Sequence, residues 1–583
     1  MFLVTTANQN FWKLDEPILF LGEWCRMYSQ KHVWSELPHE VLPYYGLDRD
    51  RVYSDYYYAL EVYEFFLVEL SRELNKLHGF DHTLHYWRIV IGPWLLFFIG
   101  VLLDRYRSIC TAVDSGQVTN AWITPQFPEE YLANSFSEFR DNFQGDDYNH
   151  CLYSQLITNF KEIPWETKTI TDFSDFKSKK TLSSGKNSFR WGFIRCIGTL
   201  SRLIPDSLQK VVAVKSYIKP IDLMKLQLAM KTFPCPYRPD IKITFVEPDW
   251  DMRREIKLGH ANGHFESILQ KSILFHLPKV YIEGYSLTRQ QALEYFPKKP
   301  KVIITTTGYK QDEGFKFWVA GQVDQGVKLV FTQHGGHVGD GRWSVDDDHE
   351  IKIADRYFTW GWDRDGETKT TPMPSSMLGS MKDCTPDMKG KILCVTPSFM
   401  RYPDQMYSVP QGPLALETFK FQENFLKTVS SLVLNHIVFR LFPELGWEEK
   451  LRWPDSEVSP YIYRGNKSYH SHLKTSRLCV CFYNGTPFLE AFAANYPTLL
   501  CWDPKCTELN ELAQPYFDLL RKAGILYDTY ESAALKLNEI YQDPLSWWLS
   551  PDIQGTKNQF CDRFAMVSDD WLFEWKKELL ALT

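Results

Sequence analysis

The 583-residue sequence holds 12 cysteines, but none in a CxxC pair. It has no basic excess, no internal repeat, no Walker A sequence and no HExxH. Each absence excludes a class. Cysteines without ligand spacing make neither a zinc ribbon nor a disulfide framework, and they point to a reducing compartment. Lys and Arg number 65 against 72 Asp and Glu, a formal net charge of -7. Such a surface does not neutralise phosphates at scale, so no nucleic acid is expected as a partner. The missing motifs remove P-loop and zincin chemistry. The uncharged stretch Ile89 to Leu103 is 15 residues long, bounded by Arg88 and Asp104. A bilayer needs roughly 20, so Gly92-Pro93 reads as the start of a buried helix. Met1-Phe-Leu-Val-Thr-Thr lacks the basic region of a secretory signal, and a cytoplasmic protein is expected.

What is present is globular: 44% hydrophobic, 23% charged and 15% aromatic residues. Several of the 20 Trp lie beside Gly, Pro or charge, as in Gly22-Glu23-Trp24, Gly92-Pro93-Trp94 and Trp360-Gly361-Trp362. Sugar-handling clefts share that pattern, and so do ordinary cores. Two regions show strand, helix and strand at the spacing of parallel crossovers. One runs from Lys301-Val-Ile-Ile through a helix near 312–325 to Lys328-Leu-Val-Phe-Thr. The other contains Lys391-Ile-Leu-Cys-Val, a helix near 416–434, His436-Ile-Val-Phe-Arg, Leu478-Cys-Val-Cys-Phe and Thr498-Leu-Leu-Cys. The expected class is α/β, with two Rossmann-like domains and helical insertions in the N-terminal half. Residues 1–365 form the first domain, 366–389 a linker and 390–567 the second. A final helix, 568–583, returns to the first domain. The Lys, Ser and Thr-rich segment 161–187 reads as an exposed insertion.

Two loops stand out chemically. In Leu478-Cys-Val-Cys-Phe-Tyr-Asn-Gly-Thr-Pro, a strand runs into Asn484, Gly485 and Thr486, a turn with a helix cap, and Pro487 suits the first helical turn. A loop at the carboxyl end of a parallel strand against a helix N-terminus is where open α/β sheets bind anionic ligands. Glu490, one turn along that helix, can accept from sugar hydroxyls or can simply favour the helix dipole. The second loop, Gln333-His334-Gly335-Gly336-His337, leaves another strand. Its glycines allow close backbone approach, and His334 can donate to a phosphate or move a proton.

Glu23 follows a strand and is a candidate base, with a surface role as the alternative. Arg440 ends a strand, where a cation meets a ligand phosphate. Three acidic triplets, Asp48 to Asp50, Asp346 to Asp348 and Asp363 to Asp365, match the loose Asp-x-Asp pattern of metal-dependent sugar transferases. No other metal-ligand spacing accompanies them, and neither a metal nor any other cofactor is expected.

Together, the two α/β regions and the Asn-Gly-Thr-Pro-Phe-Leu-Glu-Ala element resemble the donor half of a GT-B glycosyltransferase, whose two domains face across a cleft. Further motifs narrow the resemblance: Phe20-Leu-Gly-Glu-Trp-Cys, His85-Tyr-Trp-Arg-Ile-Val-Ile-Gly-Pro-Trp, Gln333-His-Gly-Gly, His349-Glu-Ile, Thr359-Trp-Gly-Trp and Ser476-Arg-Leu. These are similar to transferases encoded in bacterial O-antigen and surface-polysaccharide gene regions, in the same order, from about residue 10 to 575. The resemblance implies transfer of a sugar from a nucleotide donor to a glycan or lipid-linked glycan of a lipopolysaccharide or other surface polymer. Peripheral association with the inner face of the membrane goes with such an acceptor. The Gln-His-Gly loop also looks like those of capsule and alditol-phosphate transferases, and the whole resembles enzymes that use CMP-activated ulosonic acids. A cytidine nucleotide is therefore the preferred donor. On this reading Gln333, Gly335, Gly336, Arg440, Asn484, Gly485, Thr486 and Glu490 bind donor, while Glu23 and His334 are catalytic. A CDP-alditol phosphotransferase and a non-catalytic glycan-binding protein of the same fold are the alternatives.

Overall fold

The computed structural model of the protein describes residues 1–124, 127–168, 204–234, 241, 244–259, 261–404, 406–453 and 459–583. Most of the polar insertion expected at 161–187 lies outside them. Contacts divide the chain into two compact units. The first comprises Met1–Lys215, Lys231–Leu329 and a short excursion, Tyr402–Met406. The second comprises Ser216–Met230, Val330–Arg401 and Tyr407–Thr583.

In the first unit, β1 (Phe2–Val4), β2 (Ile18–Phe20), β3 (His39–Val41), β4 (Asn120–Ile123) and β5 (Trp165–Thr167) form a parallel sheet in the order β3-β2-β1-β4-β5. Leu3 lies between Leu19 and Ala121, and every residue of β1 and β2 is buried. That fits a parallel sheet covered on both faces. Next come β6 (Val211–Val214) and β7 (Val302–Thr305), paired in parallel with Val212 opposite Ile303. The chain passes from the first unit to the second within β8 (Lys328–Thr332).

The helix Gly92–Ser115 opens with Pro93 in its first turn and ends at Gly116, whose φ of 62° is the left-handed conformation that glycine takes without strain. Its Trp94, Leu95, Phe98, Val101 and Leu102 are fully buried, as expected of a core helix. It makes a pair with Leu84–Val90, bent by 63°. No single helix among the described residues is long and apolar enough to cross a membrane. The helix also supports buried polar groups. Arg105 donates to Asn149 Oδ1 at 2.9 Å, to Asp104 Oδ2 at 2.6 Å and to Pro403 O at 2.6 Å. Tyr402 OH donates to Asp146 Oδ1 at 2.7 Å. These bonds seat the Tyr402–Met406 excursion in the first unit.

In the second unit, β8 pairs with β9 (Arg356–Thr359), and β9 with β10 (Thr370–Pro372). A further parallel sheet contains β11 (Lys391–Val395), β12 (Ile437–Arg440), β13 (Ser476–Cys481), β14 (Thr498–Cys501) and β15 (Leu526–Tyr527), in the order β12-β11-β13-β14-β15. Leu478, Val480 and Phe482 point to one side, into a core with Ile392, Phe425, Phe439, Leu499 and Leu537. Cys479 and Cys481 share the other side, their sulfurs 3.6 Å apart, which accounts for their alternation in the sequence.

The α/β class with parallel sheets holds, but its partition differs from the expectation. Residues 1–365 contain two sets of parallel strands, β1–β5 and β6–β9, in place of a single Rossmann-like sheet. The expected linker at 366–389 lies inside the second unit and carries β10. The final helix is Trp571–Ala581. Its Trp575 donates to Pro374 O at 2.9 Å and meets Phe358 edge-on at 5.1 Å, so it packs on the β9 side of the second unit.

Buried histidines give the first unit a pH signature. Burial pushes His276 and His150 down to about 3. Neutral His276 uses both nitrogens, with Tyr148 OH at 2.7 Å from Nδ1 and Gln155 Oε1 at 3.0 Å from Nε2. The unfolded chain takes up these protons near the ordinary histidine value, so stability is complete above it and falls as pH drops towards 3. Each group contributes up to about 1.4 kcal/mol per pH unit in that window. His276→Gln is expected to lower stability at pH 7 and to flatten its decline towards pH 4.5, measured by urea unfolding. An unchanged slope would show that His276 is charged in the native state.

Candidate functional site

The strand order β12-β11-β13-β14-β15 reverses direction between β11 and β13, and the carboxyl ends of such neighbouring strands flank a crevice. Thr396 follows β11 there, and Phe482 to Gly485 follow β13. The helix Thr486–Ala493 begins directly after, with Pro487 in its first turn and Gly485 at the cap position. No side chain caps it. The expected capping role of the Asn484–Thr486 turn is thus replaced by another: Thr486 Oγ accepts a hydrogen bond from the Gly336 N–H at 2.9 Å.

That bond joins the β13 loop to the glycine-rich loop after β8. A Cβ added at Gly336 would lie 2.4 Å from Gly485 C and 2.6 Å from Thr486 N, backbone atoms that cannot yield. At Gly335 it would come within 2.9 Å of Thr486 Oγ. Gln333 fixes the loop from behind. Its amide donates to Gly335 O at 2.8 Å and accepts from Trp360 N and Trp362 Nε1, both at 2.8 Å. With both ends engaged and the residue buried, Gln333 shapes the loop in place of the expected donor contact.

Two acceptors in the β13 loop and its helix have no partner among the described residues. Asn484 is 5% exposed, and while its amide nitrogen donates to Asp340 Oδ2 at 3.0 Å, its Oδ1 accepts nothing. A buried acceptor left unpaired costs about 1–3 kcal/mol, which a ligand donor would recover. The Glu490 side chain makes no hydrogen bond or ion pair with the described residues, and burial pushes its carboxyl up to about 7. Arg440, at the carboxyl end of β12, donates to Lys467 O at 2.7 Å, and its charge acts on the Tyr483 phenol.

His334 is the partly open residue of the glycine-rich loop, its side chain 28% exposed. Its Nδ1 lies 4.0 Å from Oε1 of the fully buried Glu350. At that separation the carboxyl faces the ring without a hydrogen bond between them. Sequence reasoning overlooked Glu350, although His349-Glu-Ile stood among its motifs. The roles of His337 and Asp340, which lie against Asn484, and of Ser408, which contacts His337, are marked only by their spatial arrangement.

Glu23 belongs to the first unit, after β2. Both its oxygens engage the Arg26 guanidinium, with Nε at 3.1 Å, so taking a proton would cost that ion pair. The acidic triplets are also committed. Asp48 caps a helix through Arg51 N, and Asp346 accepts from Tyr407 OH at 2.8 Å. Asp347 accepts from Gly339 N at 2.9 Å, Asp348 pairs with Arg364 at 2.6 Å, and Asp363 pairs with Arg563. Among the described residues, no three His, Cys, Asp or Glu side chains are grouped to hold a metal ion.

A parallel α/β protein with its polar residues gathered at strand carboxyl ends belongs to the open-sheet, ligand-binding class. Residues 1–579 match the LIC12162 family transferase, and the chain belongs to that family. No curated protein matches it. Two solved structures are similar in part. The spinosyn rhamnosyltransferase SpnG complexed with spinosyn aglycone is 10% identical, with 64% of this chain and 99% of that one covered and a TM-score of 0.27. A variant of the wall teichoic acid polymerase TagF is 10% identical, with 67% and 95% covered and a TM-score of 0.31. At these scores the fold assignment rests on the sheets described above.

Gly336→Ala is expected to abolish ligand binding at this loop pair while Gly321→Ala, which meets open space in the helix Glu313–Asp324, leaves folding unchanged. Near-ultraviolet circular dichroism and thermal unfolding of both variants check the comparison, and a Gly336→Ala protein with native spectrum and stability would refute the backbone contact.

Proposed function

We propose that this transferase is a glycosyltransferase of the GT-B kind, moving a sugar from a nucleotide donor to a glycan or lipid-linked glycan acceptor of a surface polysaccharide. The observation that carries this reading is the buried Asn484 Oδ1 together with the partly buried Glu490 carboxyl, beside a helix N-terminus at the switch point of the β11–β15 sheet. Hydroxyl-rich ligands supply donors to such acceptors, and a diphosphate or monophosphate is drawn to the helix N-terminus and Arg440. Family membership supports group transfer, and the motif resemblance favours a cytidine nucleotide, with a CMP-activated ulosonic acid as the leading donor. An acceptor of that class fits a cytoplasmic protein working at the inner face of the membrane.

His334 takes the acceptor hydroxyl proton in this scheme, with Glu350 stabilising the resulting imidazolium. The dipole of Thr486–Ala493 and the Arg440 guanidinium stabilise the leaving phosphate. Glu23 is set aside as base because Arg26 holds it. The Gln333-His334-Gly335 sequence favours one second reading, transfer of an alditol phosphate from a CDP donor. Products separate the two: a glycosidic bond in the first, a phosphodiester in the second.

A thermal-shift screen of nucleotides and nucleotide sugars tests the donor site, because a ligand of the native state raises the melting temperature. Cytidine nucleotides are expected to give the largest shift. Glu490→Gln and Thr486→Ala should each weaken binding by about 1–3 kcal/mol. His334→Ala should lower turnover by roughly a hundredfold or more with binding retained. Equal affinities in wild type and both binding variants would remove the site from this loop pair.

Transfer is expected to survive chelation. The triplet carboxylates are engaged in caps and ion pairs, whereas the donor loops offer Arg440 and a helix N-terminus to the phosphate. Activity abolished by EDTA and restored by magnesium or manganese would overturn this and bring Asp346 to Asp348 into the site.

A further inference from the structure

We propose that His337 is the positioning residue of this site, locking the glycine-rich loop and the Asn484 amide together through a proton that one of its nitrogens gains or loses. The inference deepens the donor-site reading above and rests on it for its functional consequence.

His337 has a φ of 59°, in the left-handed region that a non-glycine residue occupies at some cost. Three contacts hold it there. Nε2 lies 3.2 Å from Ser408 Oγ, and Ser408 spends its own proton on Trp343 O at 3.0 Å. Ser408 Oγ is therefore an acceptor, and Nε2 carries a hydrogen in every state. Nδ1 is the variable atom. It lies 3.0 Å from Asp340 Oδ1, an ion-pair contact without hydrogen-bond alignment, and within hydrogen-bond reach of the Asn484 amide nitrogen at 3.1 Å.

When Nδ1 is protonated it pairs with Asp340, and the Asn484 amide donates to the other Asp340 oxygen at 3.0 Å. When Nδ1 is bare it accepts from Asn484, and Asp340 Oδ1 loses its cationic partner in a buried place. The charged groups that act most on the ring are acidic: Asp340 on its own loop, Asp347 on the helix Val345–Ile353 and Glu508 on the loop after β14. They hold His337 above the ordinary histidine range even though burial opposes its charge. Because the folded value is raised, the clamp is complete below the unfolded value and is lost as pH rises through the folded one. Alkaline pH thus loosens the loop that aims Asn484 Oδ1 and presents Gly336 to Thr486. The space admits no substitute for this geometry: a Cβ at Gly341 would lie 2.5 Å from Ser408 Oγ and 2.9 Å from His337 Nε2.

The test uses the full chain with CMP as probe, and combines binding with nitrogen-15 NMR of labelled histidines, the His337 signals being assigned by their absence in His337→Gln. In wild type, CMP affinity should fall about tenfold per pH unit above the His337 midpoint seen by NMR. His337→Gln should bind weakly at pH 7 and without that pH dependence. Asp340→Asn should move the NMR midpoint down. The same pH profile in wild type and His337→Gln overturns the proposal. If CMP binds no form of the protein, the donor reading fails, and hydrogen exchange of the 333–342 backbone still decides the clamp. Exchange corrected for intrinsic rate should be faster in His337→Gln than in wild type at pH 7, and equal rates overturn it.

Discussion

A single hydrogen bond, from Gly336 N–H to Thr486 Oγ, sets the geometry on which the candidate site depends. It requires that two loops from different sheets approach to backbone contact, and only glycine at 336 leaves room for that. Once the approach is made, other features follow. Gln333 fills the space behind the loop with both ends of its amide satisfied. His337 is driven into a left-handed conformation beside Asp340. The Asn484 side chain, held by its nitrogen, is left with a buried oxygen that no group among the described residues serves. The unsatisfied atom is thus a product of the scaffold, and its cost is one that a bound molecule can remove.

The acidic residues illustrate the same economy of polar groups. In the sequence, three Asp-x-Asp triplets look alike. In the structure they have different work: a helix cap at Asp48, a loop anchor at Asp347, and cross-links to Arg364 and Arg563 at Asp348 and Asp363. Asp347 does this while burial pushes its carboxyl up to about 6. Apart from the local cap at Asp48, short-range patterns cannot distinguish these roles, because the partners Gly339, Arg364 and Arg563 lie 8, 16 and 200 residues away.

Much of the second unit was legible in advance. β8, β11, β12, β13 and β14 are apolar runs of four to six residues bounded by clear breaks, and they were found within a residue or two. The helix Gly92–Ser115 announced itself by Gly92-Pro93. The first unit was less legible because its strands are short. β3 reads His39-Glu40-Val41 and β5 reads Trp165-Glu166-Thr167, with little apolar pattern to detect. Residues 1–365 therefore read as one domain. Within the site, Thr486, Gly336 and Asn484 were identified from loop chemistry, but the reason each is needed lies in contacts about 150 residues apart in sequence. Glu23 shows the converse, since its strand-end position is visible in the sequence while its ion pair with Arg26, three residues on, is seen only in the structure.

The route of the chain has a consequence of its own. It changes unit after Lys215, Met230, Leu329, Arg401 and Met406, and the five-residue excursion Tyr402–Met406 is secured by Arg105 and Asp146. No single cut therefore yields two complete parts. A gene split or recombined at any one point would strand strands or helices of one unit in the other's reading frame. Such an architecture resists modular shuffling, because neither unit is one continuous segment that could be exchanged as a ready-made half.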